Sequence, residues 1–307
     1  MKALITGVSG FVGTYLSDRL LECGYDVVGL SRTRPSNKEV NYIHCDITDS
    51  RLVEQVLKQV RPDEIYHLAG SGFIPSSYKD PAETYRTIVN GTLNLYESLR
   101  KLDFDSKVLY VGSAEVYGEG KGKAFNEEDL LHPSNPYAGA KACADAISEQ
   151  YAKTYGMKII RTRSFNHTGP KQSSDFVCSN FAKQISNMER YQKKIIRVGN
   201  INVKRDFLDV RDVTKAYYLI MQKGISGDIY NVSSNNGVTI NKLLNYLLEF
   251  SFIEDPIIEI DTDKVRRKDA SVRIGDNRKL INHTGWHPEI ELKDTMRDLL
   301  MYWRNRK

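Results

Sequence analysis

The chain has 307 residues, a formal net charge of +5 and 27% charged residues, and its length suits one large α/β domain with a smaller lobe. It contains no run of about 18 apolar residues, so no transmembrane helix is expected. The small positive excess has no basic run with interleaved aromatic residues, which argues against a nucleic-acid-binding protein. Its four cysteines lie far apart without a CxxC pair, which predicts reduced thiols, no metal site and a cytoplasmic location. They are Cys23, Cys45, Cys143 and Cys178.

Apolar strand-like runs alternate with helical patterns through the first half of the chain. The predicted strands are 2–6, 26–31, 42–47, 64–70, 107–113 and 157–166, and the predicted helices are 11–24, 51–60, 84–102 and 136–156. This βαβα order, with strands that are apolar almost throughout, is typical of a parallel sheet covered on both faces. The sequence therefore predicts a Rossmann-type, doubly wound α/β fold.

After residue 166 the predicted elements become shorter and are separated by loops. Helices are predicted over 176–188, 239–250 and 291–307, and a strand-to-helix unit over 206–223. We predict a dinucleotide-binding domain over 1–166, with a returning segment at about 206–233. Residues 167–205 and 234–307 are expected to form mainly a smaller substrate-binding lobe that interleaves with the first domain in sequence. The cleft between the two is the expected ligand site.

Three glycines follow the first strand and precede the first helix. Gly7, Gly10 and Gly13 form a G-x-x-G-x-x-G pattern. Glycines let the backbone turn tightly and approach a pyrophosphate, which then lies at the helix N-terminus. The alternative is a glycine-rich turn without a ligand, but the strand-turn-helix context favours a dinucleotide site.

The end of the second strand predicts the choice of dinucleotide. An acidic residue there would bind the ribose 2′-hydroxyl of NAD, whereas this chain has Ser31, Arg32 and Arg34. Cations and hydrogen-bond donors suit a 2′-phosphate, so NADP(H) is favoured and NAD(H) is the second choice. Alternatively, the arginines are only solvated.

Tyr137 and Lys141 are spaced by one helical turn, so their side chains share a face of the helix. A lysine ammonium favours the phenolate and is expected to lower the pKa of the tyrosine. Such a tyrosine can exchange a proton with a sugar hydroxyl while a nicotinamide moves the hydride. Ser113 and Glu115 follow the fifth strand, at the end of the sheet where ligands of such folds bind. Glu115 can act as a base on carbon or only bind a hydroxyl.

The glycine loop, SAEVYG (113–118) and YAGAK (137–141) resemble the extended short-chain dehydrogenase/reductase family, also called the NAD-dependent epimerase/dehydratase family. The stretch SFNHTGPKQSSDFVCSNFAKQI (164–185) resembles the GDP-sugar branch of that family. The resemblance spans essentially the whole chain. It implies an enzyme that reduces the C4 ketone of a GDP-4-keto-6-deoxy sugar, with hexose favoured over heptose and Tyr137 as proton donor. By association with the family, it implies deoxysugar biosynthesis for surface polysaccharides such as O-antigen.

Two other functions stay open. One is a nucleotide-sugar 4,6-dehydratase of the GDP-mannose type, or an epimerase, with Glu115 as the base. The other is a cofactor sensor without catalysis, against which the intact Ser113, Tyr137 and Lys141 argue, because a sensor needs no proton donor.

The resemblance also implies roles for individual residues. Cofactor contacts are expected from Phe11, Val12, Asp46, Ile47, Leu68, Ala69 and Gly70, with His167 near the nicotinamide end and Ser113 on the reacting sugar oxygen. Substrate contacts are expected from Asn166, Lys183, Arg205 and Arg266, where Arg267 replaces the proline of the family's Arg-Pro-x-Asp motif. His167 could instead be a satisfied loop histidine, and Arg205 part of a structural ion pair. The family usually forms homodimers through a four-helix bundle, here from about 82–101 and 136–155.

Overall fold

The computed structural model describes residues 1–120, 122–262 and 272–306. Its strands are β1 (Lys2–Thr6), β2 (Asp26–Ser31), β3 (Asn41–His44), β4 (Glu64–His67), β5 (Lys107–Ser113), β6 (Ile159–Ser164), β7 (Asn166–Thr168), β8 (Ile195–Val198), β9 (Lys204–Asp209), β10 (Ile229–Val232), β11 (Gly237–Thr239), β12 (Ile257–Ile260) and β13 (Val272–Arg273). Its α-helices are α1 (Phe11–Glu22), α2 (Ser50–Val60), α3 (Ile74–Lys79), α4 (Pro81–Tyr85), α5 (Gly91–Leu102), α6 (Pro136–Tyr155), α7 (Val177–Tyr191), α8 (Val210–Lys223), α9 (Ile240–Glu249), α10 (Arg278–Thr284) and α11 (Leu292–Arg304).

The predicted doubly wound parallel sheet is confirmed. In the described part of the chain, seven strands form the large sheet in the order β10-β6-β5-β4-β1-β2-β3, and each neighbouring pair is parallel. The chain proceeds from β1 to β2 and β3 in one direction, and then returns to place β4 on the other side of β1. This reversal opens a crevice at the carboxyl ends of β1 and β4, where ligands of such sheets bind.

Both faces of the large sheet are buried, which explains the near-continuous apolar strands. Leu4 packs in the core on one face, with α2, α5 and α6, whereas its neighbours Ala3 and Ile5 pack in the core on the other, with α1 and α8. Successive strand residues point to opposite faces, so a strand covered on both sides tends to be apolar on both of them.

Three predicted strands end earlier than expected. The fourth strand ends at His67 rather than at residue 70. The third strand ends at His44 rather than at residue 47, because the Asp46 carboxylate accepts hydrogen bonds from the backbone N–H and hydroxyl of Thr48, 2.9 and 2.8 Å long, and folds the chain into a turn. The sixth strand ends at Ser164, and Asn166 begins β7 in another sheet.

The helix predicted over 84–102 is not a continuous α-helix. Its start at α4 is joined to α5 by a π-helical turn over Arg86–Asn90. Such turns add a residue to the helical repeat and are frequent at functional sites. The 136–156 prediction matches α6 almost residue for residue.

A second, smaller sheet lies after the large one in sequence. Strand β9 pairs with β7 and β13 in parallel and with β11 antiparallel, and helices α7, α9 and α11 pack around a third apolar core. The predicted returning segment is divided between the two sheets: β9 lies in the small sheet, whereas α8 packs on the large sheet and β10 forms its edge. The assignment of the lobes to cofactor and substrate stays a prediction. Among the described helices, none is long and apolar enough to cross a membrane.

Candidate active site

The glycine loop joins β1 to α1 at the centre of the large sheet. Gly7 has a φ of +75°, which favours glycine, and its N–H donates to the Leu30 carbonyl over 2.7 Å. A Cβ at Gly13 would lie 2.5 Å from the Gly7 carbonyl oxygen, so the tight loop requires glycine there. The N-cap residue of α1 is Gly10, and the first turn carries no acidic side chain. The helix N-terminus therefore favours a bound anion such as a pyrophosphate.

The residues expected at the adenosine end lie after β2 and β3. Arg32 is exposed and lines the cleft, and its charge helps to lower the pKa of Asp46, after the hydrogen bonds from Thr48. Ser31 is buried, and its hydroxyl donates to the Thr33 carbonyl over 2.7 Å. The Arg34 guanidinium lies 5.8 Å from the centre of the Tyr42 ring. Of the two arginines, it is Arg32 that the structure places along the cleft.

The turn after β4 is held by a buried histidine. His67 shares hydrogen bonds with the hydroxyls of Thr6, at 2.8 Å, and Thr92, at 3.1 Å, and burial lowers its pKa to about 3. The Thr6 hydroxyl also accepts from the Ala69 N–H over 3.1 Å. This neutral histidine positions the backbone of 68–70 along the cleft, opposite Gly7.

Helix α6 brings Tyr137 and Lys141 to the end of β5. The helix begins after Asn135, whose side-chain oxygen accepts from the Ala138 N–H over 2.9 Å. Lys141 is buried, and its ammonium donates to the Val111 carbonyl of β5 over 2.8 Å, which fixes the helix against the strand that carries Ser113. Burial lowers the pKa of Lys141 to about 8.

The predicted lowering of the Tyr137 pKa is wrong. Burial raises the pKa of Tyr137 to about 12; the Ser113 hydroxyl opposes this rise and the negative charge of Glu115 adds to it. Desolvation disfavours the phenolate more than the neighbouring groups favour it. Tyr137 is therefore a neutral phenol at physiological pH, and its hydroxyl can act as a proton donor.

Glu115 lies in the cleft with partners for both carboxylate oxygens. Oε1 forms an ion pair with the Arg273 guanidinium, and Oε2 accepts from the Asn135 side-chain amide over 3.4 Å. Its backbone N–H donates to the Ser113 hydroxyl over 3.2 Å. Sequence reasoning missed Asn135, although Asn before Pro136 is a recognisable helix start. It also missed Arg273, which carries no local signal because it is 158 residues away.

The small sheet and α7 carry His167, which was expected near the nicotinamide end of the cofactor, and residues expected to contact the substrate. His167 stacks on Phe11 of α1 with ring centroids 6.3 Å apart, so it lies beside the glycine loop. The Lys183 ammonium lies 5.3 Å from the centre of the Trp303 ring. Arg205 is buried at the start of β9, where its guanidinium donates to the Lys204 carbonyl over 2.9 Å.

The adjacent Asp206 has separate partners. Its carboxylate accepts hydrogen bonds from the backbone N–H groups of Ser234, at 2.8 Å, and Gly275, at 3.2 Å, and burial raises its pKa to about 6. Since adjacent strand residues point to opposite faces, Asp206 faces away from the cleft that Arg205 lines.

One cleft of about 2260 Å³ brings the predicted site residues together. It is lined by Gly7, Gly10, Phe11, Val12, Gly13, Ser31, Arg32, Asp46, Ile47, Leu68, Ala69, Gly70, Ser113, Glu115, Tyr137, Lys141, Asn166, His167, Lys183 and Arg205. Arg266 and its neighbour Arg267 lie outside the described residues. Asn187, Arg190, Trp303 and Arg306 also line the cleft and were not predicted, because α7 and α11 read as ordinary amphipathic helices.

Comparison with known proteins agrees with this geometry. The family model described as GDP-mannose 4,6 dehydratase matches residues 4–299. A GDP-6-deoxy-D-mannose reductase of Pseudomonas aeruginosa is 34% identical over 99% of this chain and 98% of its own. A GDP-mannose 4,6-dehydratase of Vibrio cholerae is 27% identical over 98% of this chain and 93% of its own.

Solved structures superimpose over the whole chain. The structure of RMD from Pseudomonas aeruginosa complexed with NADPH gives a TM-score of 0.87 at 32% identity, covering 100% of this chain and 99% of that one. The UDP-glucose 4-epimerase of Thermus thermophilus complexed with NAD gives 0.90 at 25% identity, covering 100% of both chains. The family match, the fold and the shared cleft together establish that this chain belongs to the GDP-mannose 4,6-dehydratase family, within the extended short-chain dehydrogenases/reductases.

Proposed function

We propose that this protein is an NAD(P)H-dependent reductase that converts the C4 ketone of a GDP-4-keto-6-deoxy sugar, a hexose before a heptose, into a GDP-6-deoxy sugar. The observation that carries this proposal is the buried phenol of Tyr137, which stays protonated at neutral pH and lies with Ser113 in the cleft that contains the glycine loop. Reduction of a ketone needs a proton donor at the oxygen, and a neutral phenol supplies one. The reductase relative of Pseudomonas aeruginosa supports the same choice.

Three residues of the cleft have separate roles in the proposed reaction. A nicotinamide cofactor supplies the hydride when bound. Tyr137 donates its proton to the O4 atom as negative charge develops there, and the Ser113 hydroxyl, beside it at the end of β5, donates a hydrogen bond to the same oxygen. Lys141, held by the Val111 carbonyl, provides a positive charge that favours the phenolate left after proton transfer.

NADP(H) is the proposed cofactor, with NAD(H) as the second choice. Arg32 lines the cleft at the position where an acidic residue would select NAD. The Pseudomonas aeruginosa structure contains NADPH, whereas the Thermus thermophilus epimerase contains NAD. Gly7, Gly10 and Gly13 would hold the pyrophosphate of either.

GDP is the proposed nucleotide, and its diphosphate would lie between the two lobes. Arg205 and Lys183 supply positive charge on the small-lobe side, and Asn166 supplies an amide at the start of β7. An arginine fork matches the geometry of phosphate oxygens.

A dehydratase or epimerase is the second candidate, and Glu115 is the observation that favours it. Its carboxylate lies in the cleft close enough to Tyr137 to raise the pKa of the phenol, and the Vibrio cholerae relative is a dehydratase by name. In that reaction Glu115 would remove the proton from C5 before water leaves C6.

The test is NADPH oxidation by the purified protein with GDP-4-keto-6-deoxy-D-mannose, compared with GDP-mannose. Oxidation with the ketone and none with GDP-mannose is the expected result. A keto sugar formed from GDP-mannose without net cofactor consumption would replace the reductase by the dehydratase. Inactivity with both would reject the GDP-hexose substrate.

We also propose a homodimer built from the helices over 81–102 and α6. Tyr85 and Tyr155 are exposed large side chains on these helices, and Cys143 and Ala146 are exposed on α6. Light scattering after size exclusion should give twice the chain mass of 35.0 kDa; a monomer would reject this assembly. A cytoplasmic location and a role in O-antigen synthesis stay predictions.

A further inference from the structure

We propose that Arg273 suppresses carbon-acid chemistry in the cleft by holding Glu115 away from the protons next to the C4 ketone. The inference rests on the proposed function, because it concerns the ketone substrate. It assigns a positioning role to a residue of the small sheet that acts through a carboxylate of the large lobe.

The chemistry of the substrate creates the need for such a restraint. A C4 ketone makes the hydrogens on C3 and C5 acidic. A carboxylate placed beside them would accept the proton, while the electron pair of the C–H bond moves into a C4–C5 or C3–C4 double bond and O4 takes the negative charge. Tyr137 and Ser113, which stabilise negative charge on O4 during reduction, would stabilise this enolate equally well. Return of the proton to the other face would scramble the stereochemistry before the hydride arrives.

Glu115 is held in place by contacts to both of its carboxylate oxygens. Arg273 forms an ion pair with Oε1 and donates through Nε to the Gly118 carbonyl over 3.1 Å. The Arg273 guanidinium therefore fixes both the Glu115 side chain and the turn that carries Glu115. Asn135 donates to Oε2 over 3.4 Å. To move its carboxylate towards a carbon of the sugar, Glu115 would have to give up this ion pair, because the contact with the guanidinium fixes the position of the side chain.

Arg273 is itself buried. Its side chain is 6% exposed and that of Glu115 14%, so solvent does not screen the pair as it screens a surface ion pair. In the register of β13 and β9, Arg273 lies opposite Arg205. Two arginines thus stand side by side, where Arg205 lines the cleft and Arg273 is turned to Glu115.

Hydrogen–deuterium exchange into the sugar tests the restraint directly. The ketone GDP-4-keto-6-deoxy-D-mannose is incubated in D₂O with the full-length protein and NADP⁺, without a hydride source, and deuterium at C3 and C5 is located by NMR. The wild-type protein should give exchange near that of buffer alone. Arg273→Met, which keeps the length of the side chain and removes its charge, should raise exchange at least about tenfold. The double variant R273M/E115Q should return to the level of buffer.

Matched variants separate this role from a merely structural one. Arg278→Met removes a guanidinium whose ion pair with Asp276 is on the surface, where the arginine side chain is 79% exposed; its exchange should equal that of the wild type. Arg273→Lys keeps the charge without the fork and should give exchange between wild type and Arg273→Met, and it replaces Arg273→Met if that variant no longer binds NADP⁺. A structural role alone would lower thermal stability without placing deuterium on the sugar.

Two results would overturn the inference. One is a wild-type protein that reduces the ketone but exchanges C5 rapidly. The other is an Arg273→Met or Arg273→Lys protein that binds NADP⁺ and exchanges no faster than wild type. Both leave the reductase proposal standing, whereas a wild-type protein that does not oxidise NADPH with the ketone rejects that proposal first.

Discussion

The two walls of the cleft are built in different ways. The proposed cofactor wall, formed by the glycine loop and 68–70, consists largely of backbone that closely approaches backbone. A Cβ at Gly7 would lie 3.1 Å from the Ala69 nitrogen. The proposed substrate wall, formed by Asn166, Lys183 and Arg205, consists of polar and charged side chains from three separate elements. The first wall is therefore defined mainly by its close-packed shape, and the second mainly by its charged and polar groups. Tyr137 lies in the same cleft as a buried phenol that keeps its hydroxyl proton at neutral pH.

The largest effect should come from the residue between the walls. Tyr137→Phe removes the phenolic hydroxyl and with it the proton that can be transferred. It should lower kcat by about 10²–10⁴-fold, since it removes general acid catalysis. Binding of NADPH should be unchanged, as fluorescence titration would show. Tyr155→Phe is the control, because Tyr155 is exposed at the end of the same helix. Near-normal turnover by Tyr137→Phe would exclude it as the proton donor.

The cofactor wall should tolerate no added volume. Gly13→Ala places a Cβ 2.5 Å from the Gly7 carbonyl, and a close-packed loop can accept it only by moving the backbone. We expect NADPH affinity to fall by about 100-fold or more, which is about 2.7 kcal/mol. Gly156→Asn, at a left-handed position with open space, is the control and should bind NADPH normally. Equal binding by Gly13→Ala would show that the loop does not shape the cofactor site.

The substrate wall should respond to charge. Arg205→Met should raise KM for the nucleotide sugar by about 10–100-fold with a smaller change in kcat, because it removes a contact made before and during reaction. Lys204→Met removes the same charge from the opposite face of β9 and should change KM little. Steady-state kinetics at two salt concentrations measures both. Equal effects of the two variants would mean that only net charge matters.

The smallest of these effects should be the change in stability when Lys141 is replaced, which is separate from the proposed support of the phenolate by its charge. Its pKa falls from 10.5 to about 8 on burial, so the folded protein bears the cost of a buried charge below pH 8. Lys141→Met should raise the free energy of unfolding by about 1–3 kcal/mol at pH 7.

The sign of the pH dependence follows from linkage. Between pH 8 and 10.5 the unfolded chain keeps the lysine proton that the folded chain releases, so the wild-type protein gains stability as pH rises. The advantage of the variant should therefore shrink over that range. Thermal unfolding at pH 7, 8.5 and 10 would measure it, and a variant less stable than wild type at pH 7 would show that the bond to Val111 outweighs the cost of burial.

Features that depend on residues close together in the sequence were predictable. The large parallel sheet follows from strands that are largely apolar on both faces, and the glycine loop from residues spaced between a strand and a helix. Tyr137 and Lys141 share a face because α6 repeats every 3.6 residues, and α6 runs almost exactly over the predicted range. Each of these features depends on neighbours along the chain.

Features that depend on distant partners were not predictable. Asn166 leaves the large sheet to pair with β9. The pKa of Tyr137 rises rather than falls because burial, which spacing does not reveal, dominates the effect of a nearby charge.

The amino-acid order was enough to predict the fold class, the glycine loop, the Tyr-Lys helix face and about a third of the residues that line the cleft, since local geometry and hydrophobic periodicity are encoded along the chain. Only the tertiary structure decided which groups meet across the cleft. It brought Arg273 to Glu115 over 158 positions and buried Tyr137, because desolvation and ion pairing depend on the distances between elements that the chain order leaves open.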